Sequence, residues 1–283
     1  MTLIENNQVS LPSMMYGTAW KKDDTARLVE LAVGAGFRAI DTANQLKHYD
    51  EARVGAALQT LQKKGVGRAD LFLQTKFTSI DGQDHRLPYD AKAALGTQVK
   101  QSMDSSLIHL HTDYLDSYVL HGPYSRNGLG DEDWEVWSAI EELYAAGKCK
   151  MIGISNVTSA QLSQLCAKAK VKPMVVQNRC YAVQGWDSEV RKICNSHSIV
   201  YQGFSLLTAN AGVLSHSAVK SIASRLRTGV AQVIFKFAMD IGMLPLTGTT
   251  SLQHMKDDLQ SEKLHLSAEE ISMLETIGVA TRH

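Results

Sequence analysis

No stretch of this sequence is apolar for the roughly 18 residues that a membrane-spanning helix needs. The amino terminus, MTLIENNQVSLP, lacks the basic start and apolar stretch of a secretory signal. Charge of one sign is also missing. The 29 Lys and Arg are balanced by 29 Asp and Glu, so there is no electrostatic footprint for nucleic acid or an anionic membrane. The four cysteines (Cys149, Cys166, Cys180 and Cys194) contain no C-x-x-C pair, which leaves zinc and a redox dithiol without their usual spacing. Buried free thiols in a reducing, cytoplasmic setting are expected. Only five prolines occur, scattered, and no linker or low-complexity stretch interrupts the 283 residues. One domain over 1–283 is expected, with its core at about 11–260 and a last helix at about 267–277.

What is present is an alternation. Short apolar runs are followed by stretches whose apolar residues recur every three or four positions. The runs are Ser13–Thr18, Arg38–Asp41, LFLQTK, Tyr114–His121, Cys149–Ile154, Pro173–Gln177, Ser198–Phe204 and MLPLTGT. Helical patterns occupy Glu51–Leu61, Ala91–Leu107, Glu132–Ala146, Ser159–Ala169, Trp186–Ser196, one long zone Val219–Ile241, Ser251–Gln260 and Ser267–Ile277. Eight strands alternating with helices imply βαβ units and a parallel sheet. No G-x-G-x-x-G follows the first strand, so the open dinucleotide-binding sheet loses its best sign. The expected fold is α/β, an eight-stranded parallel (β/α)₈ TIM barrel with helices outside.

Polar residues stand where the apolar runs finish: Asp41, Lys76 and His121 end consecutive strands. Singly, Asp41 reads as a helix cap, Lys76 as a solvated lysine and His121 as a rim histidine. Together, at equivalent places, they read as a catalytic cluster at the C-terminal mouth of a barrel.

These residues lie in motifs. Gly36–Leu58 reads GFRAIDTANQLKHYDEARVGAAL, and LFLQTK, YLDSYVLHGP, IGISNV, PMVVQN and MLPLTGTTSLQHMKDDL follow in order from Leu71 to Leu259. The set resembles the aldo-keto reductase family. The resemblance implies an NAD(P)H-dependent reductase of aldehydes and ketones with an Asp–Tyr–Lys–His tetrad. Asp41, Lys76 and His121 match residue by residue. In the family the tyrosine usually stands five residues after the aspartate; here that place holds Leu46, and Tyr49 lies on a segment longer by about two. Tyr49 is assigned as proton donor, being the one tyrosine of this loop, with His48 as the competing donor and simple packing as the plain alternative. An ammonium beside a phenol lowers its pKa, Asp41 would partner that ammonium, and a neutral His121 would orient the carbonyl.

The same resemblance implies the cofactor contacts: Gly17 and Thr18 at the first strand end, Asp41 itself, Ser155, Asn156 and Gln177 on the nicotinamide carboxamide, Phe204 stacked on the ring, and Ser205 and Leu207 at the pyrophosphate. At the adenosine clamp, Gly248 and Thr249 stand where the family commonly has Lys-Ser, His254 where it has Arg, and Asp257–Asp258 where it has Glu-Asn. The fixed positive charge is thus lost, although Thr249 and Thr250 at a helix N-terminus can hold phosphate and Lys256 lies near. NADP is the first expectation, NAD the second.

Trp20, Phe77 and Trp186 follow strand ends and are expected to wall an apolar substrate pocket; core packing is the alternative for each. A flexible loop, Gly122–Asp131, and a short C-terminal tail suggest an open site for small carbonyl compounds in a monomer that binds neither nucleic acid nor membrane. Two other classes remain. One is a nicotinamide-binding regulatory module, which would not need Asp41, Lys76 and His121 together. The other is a Schiff-base lyase using Lys76 as nucleophile, which needs that amine neutral.

Overall fold

The computed structural model describes residues 3–280. Ten strands form among the described residues: β1 (Leu3–Asn6), β2 (Val9–Pro12), β3 (Met15–Gly17), β4 (Ala39–Asp41), β5 (Phe72–Phe77), β6 (Leu115–Leu120), β7 (Cys149–Ser155), β8 (Val175–Arg179), β9 (Val200–Phe204) and β10 (Met243–Thr247). β3 to β10 pair in parallel and close on themselves as a barrel, with β10 returning beside β3. Helices follow the barrel strands and pack outside, as the alternating pattern requires.

Side chains alternate in and out along each strand, so β5 works as a ruler. Phe72 belongs to the barrel's inner apolar cluster, Gln74 and Lys76 bond to Asp41 inside, while Leu73 and Phe77 join the outer core beneath the helices. The rest of the interior is an apolar cluster: Met15, Ala39, Phe72, Val119, Met151, Val175, Val200 and Leu244 are all buried. β1 and β2 form an antiparallel hairpin turned at Asn7–Gln8, both with positive φ. Its Val9 and Leu11 join that cluster and plug the barrel floor, a hairpin outside the alternation read from the sequence.

Two helical expectations need correction, and one short helix was not foreseen. The zone Val219–Ile241 is two helices, Ser217–Leu226 and Val230–Asp240. Arg227 adopts φ 53°, and Gln232 Oε1 accepts from the Gly229 N–H and the Thr228 hydroxyl, starting the second helix afresh. A short helix, Ala211–Ser215, precedes them. The expected helix Ala91–Leu107 starts only at Leu95, since Ala94 is extended at ψ 148°.

The helix Glu51–Lys63 begins at Asp50, whose carboxylate accepts from the Arg53 N–H at 3.0 Å. Its Gly55 lies directly against the carbonyl of His109, leaving no room for a methyl. An exposed helical Gly→Ala change ordinarily stabilises by about 1 kcal/mol. Gly55→Ala is expected to do the reverse, costing about 1–3 kcal/mol by overpacking. Urea unfolding checks this: the midpoint falls while the slope stays constant.

Candidate active site

Register brings the strand-end residues together. Asp41 pairs with Gln74 across β4 and β5, and Lys76 with Val119 across β5 and β6. His121 follows β6 by one residue, its N–H donating to the Phe77 carbonyl. The Lys76 side chain is fully buried. Its Nζ lies 2.7 Å from each Asp41 oxygen and 2.8 Å from the Thr42 carbonyl. Three acceptors match the three protons of an ammonium. Burial pushes the Lys76 pKa below its usual value, and the Asp41 carboxylate pulls it part of the way back. Asp41 Oδ1 also accepts from the amides of Gln74 and Gln177, at 2.8 and 3.0 Å, and Gln202 links those two glutamines.

The lengthened loop before Tyr49 is tied inward. Asn44 Nδ2 donates to the Ser102 carbonyl and the Ser106 hydroxyl, and Gln45 Nε2 to the Gly82 carbonyl at 2.6 Å. Behind it Glu51, 2% exposed, accepts from the hydroxyls of Thr75 and Ser106. The loop therefore brings Tyr49 to Lys76 and His121 despite the extra residues. Its ring centroid is 5.2 Å from Lys76 Nζ and 5.9 Å from the His121 imidazole, which meets it edge-on. One physical expectation is corrected. Burial first, and then the Asp41 charge, push the Tyr49 pKa up rather than down, so the phenol keeps its proton. His121 is driven to about 3 by burial and by the neighbouring Lys76 and His48; it is neutral. The His48 ring stacks on Trp20 at 3.9 Å between centroids and stays out of the main cleft.

That cleft measures about 710 Å³ and runs from Asp41, Tyr49 and His121 past Phe204 to Gly248 and His254, within the range of small-ligand sites. Of the expected cofactor contacts, Gly17, Ser155, Gln177, Phe204, Ser205, Leu207, Gly248, Thr249, His254 and Asp258 line it. Thr18 does not; it is buried and its hydroxyl donates to the Asp41 carbonyl at 3.0 Å. Asn156 and Thr250 are also off the wall, and Asn156 Nδ2 is held by the His121 carbonyl at 2.8 Å. Gln177 spends its amide N–H groups inside the barrel, so its carbonyl oxygen is what it offers a carboxamide.

Two substrate-wall expectations fail. Phe77 is fully buried against Tyr89, because the alternation that turns Lys76 inward turns its neighbour outward. Trp186 is fully buried too, packed on Phe237 with its indole N–H on the Leu274 carbonyl. Trp20, 66% exposed, does line the cleft. Sequence reasoning missed Lys21, whose ammonium bonds the Gly248 carbonyl, and Gly229–Gln232, which the unforeseen helix start turns to the wall. The Thr228–Gly229 pair was the signal for the latter.

Comparison with known proteins identifies the family of the chain. The model of the "Aldo/keto reductase family" matches residues 10–278. An aldo-keto reductase of Mycolicibacterium vanbaalenii is 29% identical, covering 99% of this chain and 93% of the relative. An NADPH-dependent alpha-keto amide reductase of Saccharomyces cerevisiae is 28% identical, covering 97% and 89%. An NAD/NADP-dependent indole-3-acetaldehyde reductase of Schizosaccharomyces pombe is 27% identical, covering 96% and 93%. Among solved structures, an aldo/keto reductase from Brucella melitensis superposes with a TM-score of 0.82 at 26% identity, covering 98% of this chain and 99% of that one.

At the far end of the cleft, Asp258 is 4% exposed and accepts from the Thr247 hydroxyl at 2.8 Å. Burial raises its carboxyl from 3.8 to about 6. A raised folded-state pKa contributes stability that is complete below the unfolded value and lost as pH rises through the folded one. Asp258→Asn, which keeps an acceptor for Thr247 and removes the charge, is expected to stabilise the protein at about pH 8 by an order of 2 kcal/mol, with no gain near pH 4. Thermal unfolding at the two pH values measures the difference.

Proposed function

The chain belongs to the aldo/keto reductase family, and from that premise we propose that it reduces aldehydes or ketones to alcohols with a reduced nicotinamide dinucleotide. The observation that carries the reading is the meeting of Tyr49, Lys76, Asp41 and His121 at the cleft floor. The cleft fits such a group: an aromatic face at Phe204, acceptor oxygens at the Gln177 side chain and at the Ser155 hydroxyl, whose hydrogen goes to the Gln177 backbone carbonyl, and the helix start at Ser251 beyond Gly248 and Thr249.

The dinucleotide supplies the hydride; the chain's residues supply position and a proton. Two groups meet the carbonyl oxygen as negative charge builds on it. The neutral imidazole of His121 donates a hydrogen bond and orients it. The Tyr49 phenol then transfers its proton to that oxygen. The phenolate left behind lies beside the buried Lys76 ammonium, which stabilises it at the moment it forms, while Asp41 keeps that ammonium in place. The elevated resting pKa of Tyr49 suits this order, because the proton is present until the oxygen needs it. The lyase alternative loses its nucleophile, since every proton of Lys76 is engaged and none of the side chain is exposed.

NADP(H) is the proposed dinucleotide, with NAD(H) second. The Lys21 ammonium at the Gly248 carbonyl puts a cation where the family's clamp lysine is missing, whereas Asp257 and Asp258 on the same wall oppose a 2′-phosphate. Titrating both reduced forms by quenching of protein fluorescence is expected to show tighter NADPH binding; NADH tighter by about tenfold, roughly 1.4 kcal/mol, reverses the assignment.

Tyr49→Phe is expected to lower kcat for aldehyde reduction by about 10²–10⁴ while leaving cofactor affinity intact, as followed by loss of reduced-nicotinamide absorbance. Near-normal turnover by this variant moves the proton donor elsewhere. The pH profile is a second check. His121 is neutral above about 3 and Tyr49 is protonated up to and beyond its usual range. The kcat for reduction should therefore stay flat from about pH 5 to pH 9, since neither group changes state between those limits.

A further inference from the structure

His121 has two ring nitrogens, and only a tautomer with its proton on Nε2 offers the cleft a donor. What selects that tautomer is a residue outside the tetrad. Thr78 directly follows β5 and is 4% exposed. Its Oγ1 lies 2.7 Å from His121 Nδ1. The segment around it is fixed: the Thr78 carbonyl accepts from the Tyr89 hydroxyl at 2.8 Å and from Gln83 Nε2 at 3.3 Å. Its Cγ2 fills the space beside Gly82, where an added side chain would collide with it. The packing of Cγ2 restricts χ1 of this stiff β-branched side chain, and its hydroxyl lies at Nδ1.

The direction of this hydrogen bond follows from counting partners. Among the described residues, Nδ1 of His121 is the sole hydrogen-bond partner of the Thr78 hydroxyl. If Nδ1 carried the proton and donated, the buried hydroxyl hydrogen would have no acceptor, and an unmet buried donor is costly. The bare Nε2 lone pair would also face the carbonyl oxygen it is meant to hold. With the hydroxyl donating, the bond is satisfied and the ring proton sits on Nε2. A doubly protonated ring would meet the Lys76 charge in a buried setting, so the choice lies between the neutral forms.

We propose that Thr78 is a positioning residue whose hydroxyl donates to Nδ1 of His121, fixing the neutral Nε2–H tautomer and aiming that N–H at the substrate carbonyl oxygen beside Tyr49. This rests on the carbonyl-reductase reading for its purpose, but not for its geometry.

The test separates the two. In protein labelled with ¹⁵N-histidine, with the His121 signal identified by its loss in His121→Asn, long-range ¹H–¹⁵N correlation reads the tautomer without any substrate. The wild type is expected to show an unprotonated Nδ1 and a protonated Nε2. Thr78→Val, which keeps the shape and removes the hydroxyl, should lose the single tautomer and lower kcat about tenfold or more, with dinucleotide affinity unchanged. Thr78→Ser should restore both. A wild-type spectrum with the proton on Nδ1 overturns the proposal, as does a Thr78→Val protein that keeps the wild-type tautomer and kcat. Failure of the wild type to reduce any carbonyl compound, with the Nε2–H signal present, sinks the reductase reading and leaves the Thr78–His121 bond standing.

Discussion

The site depends on one buried ion pair. Lys76 has no exposed side chain, so its charge is tolerable only because Asp41 is bonded to it through both oxygens. That requirement orders the barrel interior. Asp41 is braced by the amides of Gln74 and Gln177, which Gln202 joins, so three strands supply a polar layer just above the apolar plug. The pair in turn places a positive charge 5.2 Å from the Tyr49 ring and beneath His121. Burial first, and then that ammonium, keep His121 neutral, while burial and the Asp41 charge keep the Tyr49 proton on.

How much of this could be read in the sequence depended on which residues obey a period. Strand alternation is strict, so the barrel and the inward aim of Asp41 and Lys76 were legible, as was the strand-end position of His121. The same rule misplaces Phe77 if it is applied only as "near the strand end": one residue past an inward lysine, the chain faces the helices. Trp186 had no such guide. Its burial depends on Phe237 and Leu274, about 50 and 90 residues downstream, and no local pattern reports a tertiary partner at that distance.

Loops were the other blind spot. The longer segment before Tyr49 breaks the motif's spacing in sequence, yet the tyrosine still lies beside Lys76 and His121, with Asn44 and Gln45 anchoring the segment through side-chain bonds that spacing arguments do not contain. The break at Arg227 had a visible cause in Thr228–Gly229, yet the apolar periodicity on either side masked it, and with it the wall residues Gly229–Gln232. Lys21 went unnoticed for a related reason. Its relevance comes from Gly248, more than 220 positions away, whose missing side chain leaves space for the ammonium.

The β1–β2 hairpin has a bearing on how protons are supplied. Val9 and Leu11 stopper one end of the barrel with buried apolar side chains, and the strand residues that cluster with them are apolar too. Among the described residues, the cleft that reaches Tyr49 is lined by residues at the opposite, C-terminal ends of the strands. In the proposed reduction the proton given up by Tyr49 would be restored from the rim, along the same opening by which ligands come and go. Recharging of the acid and departure of the product would then share one doorway.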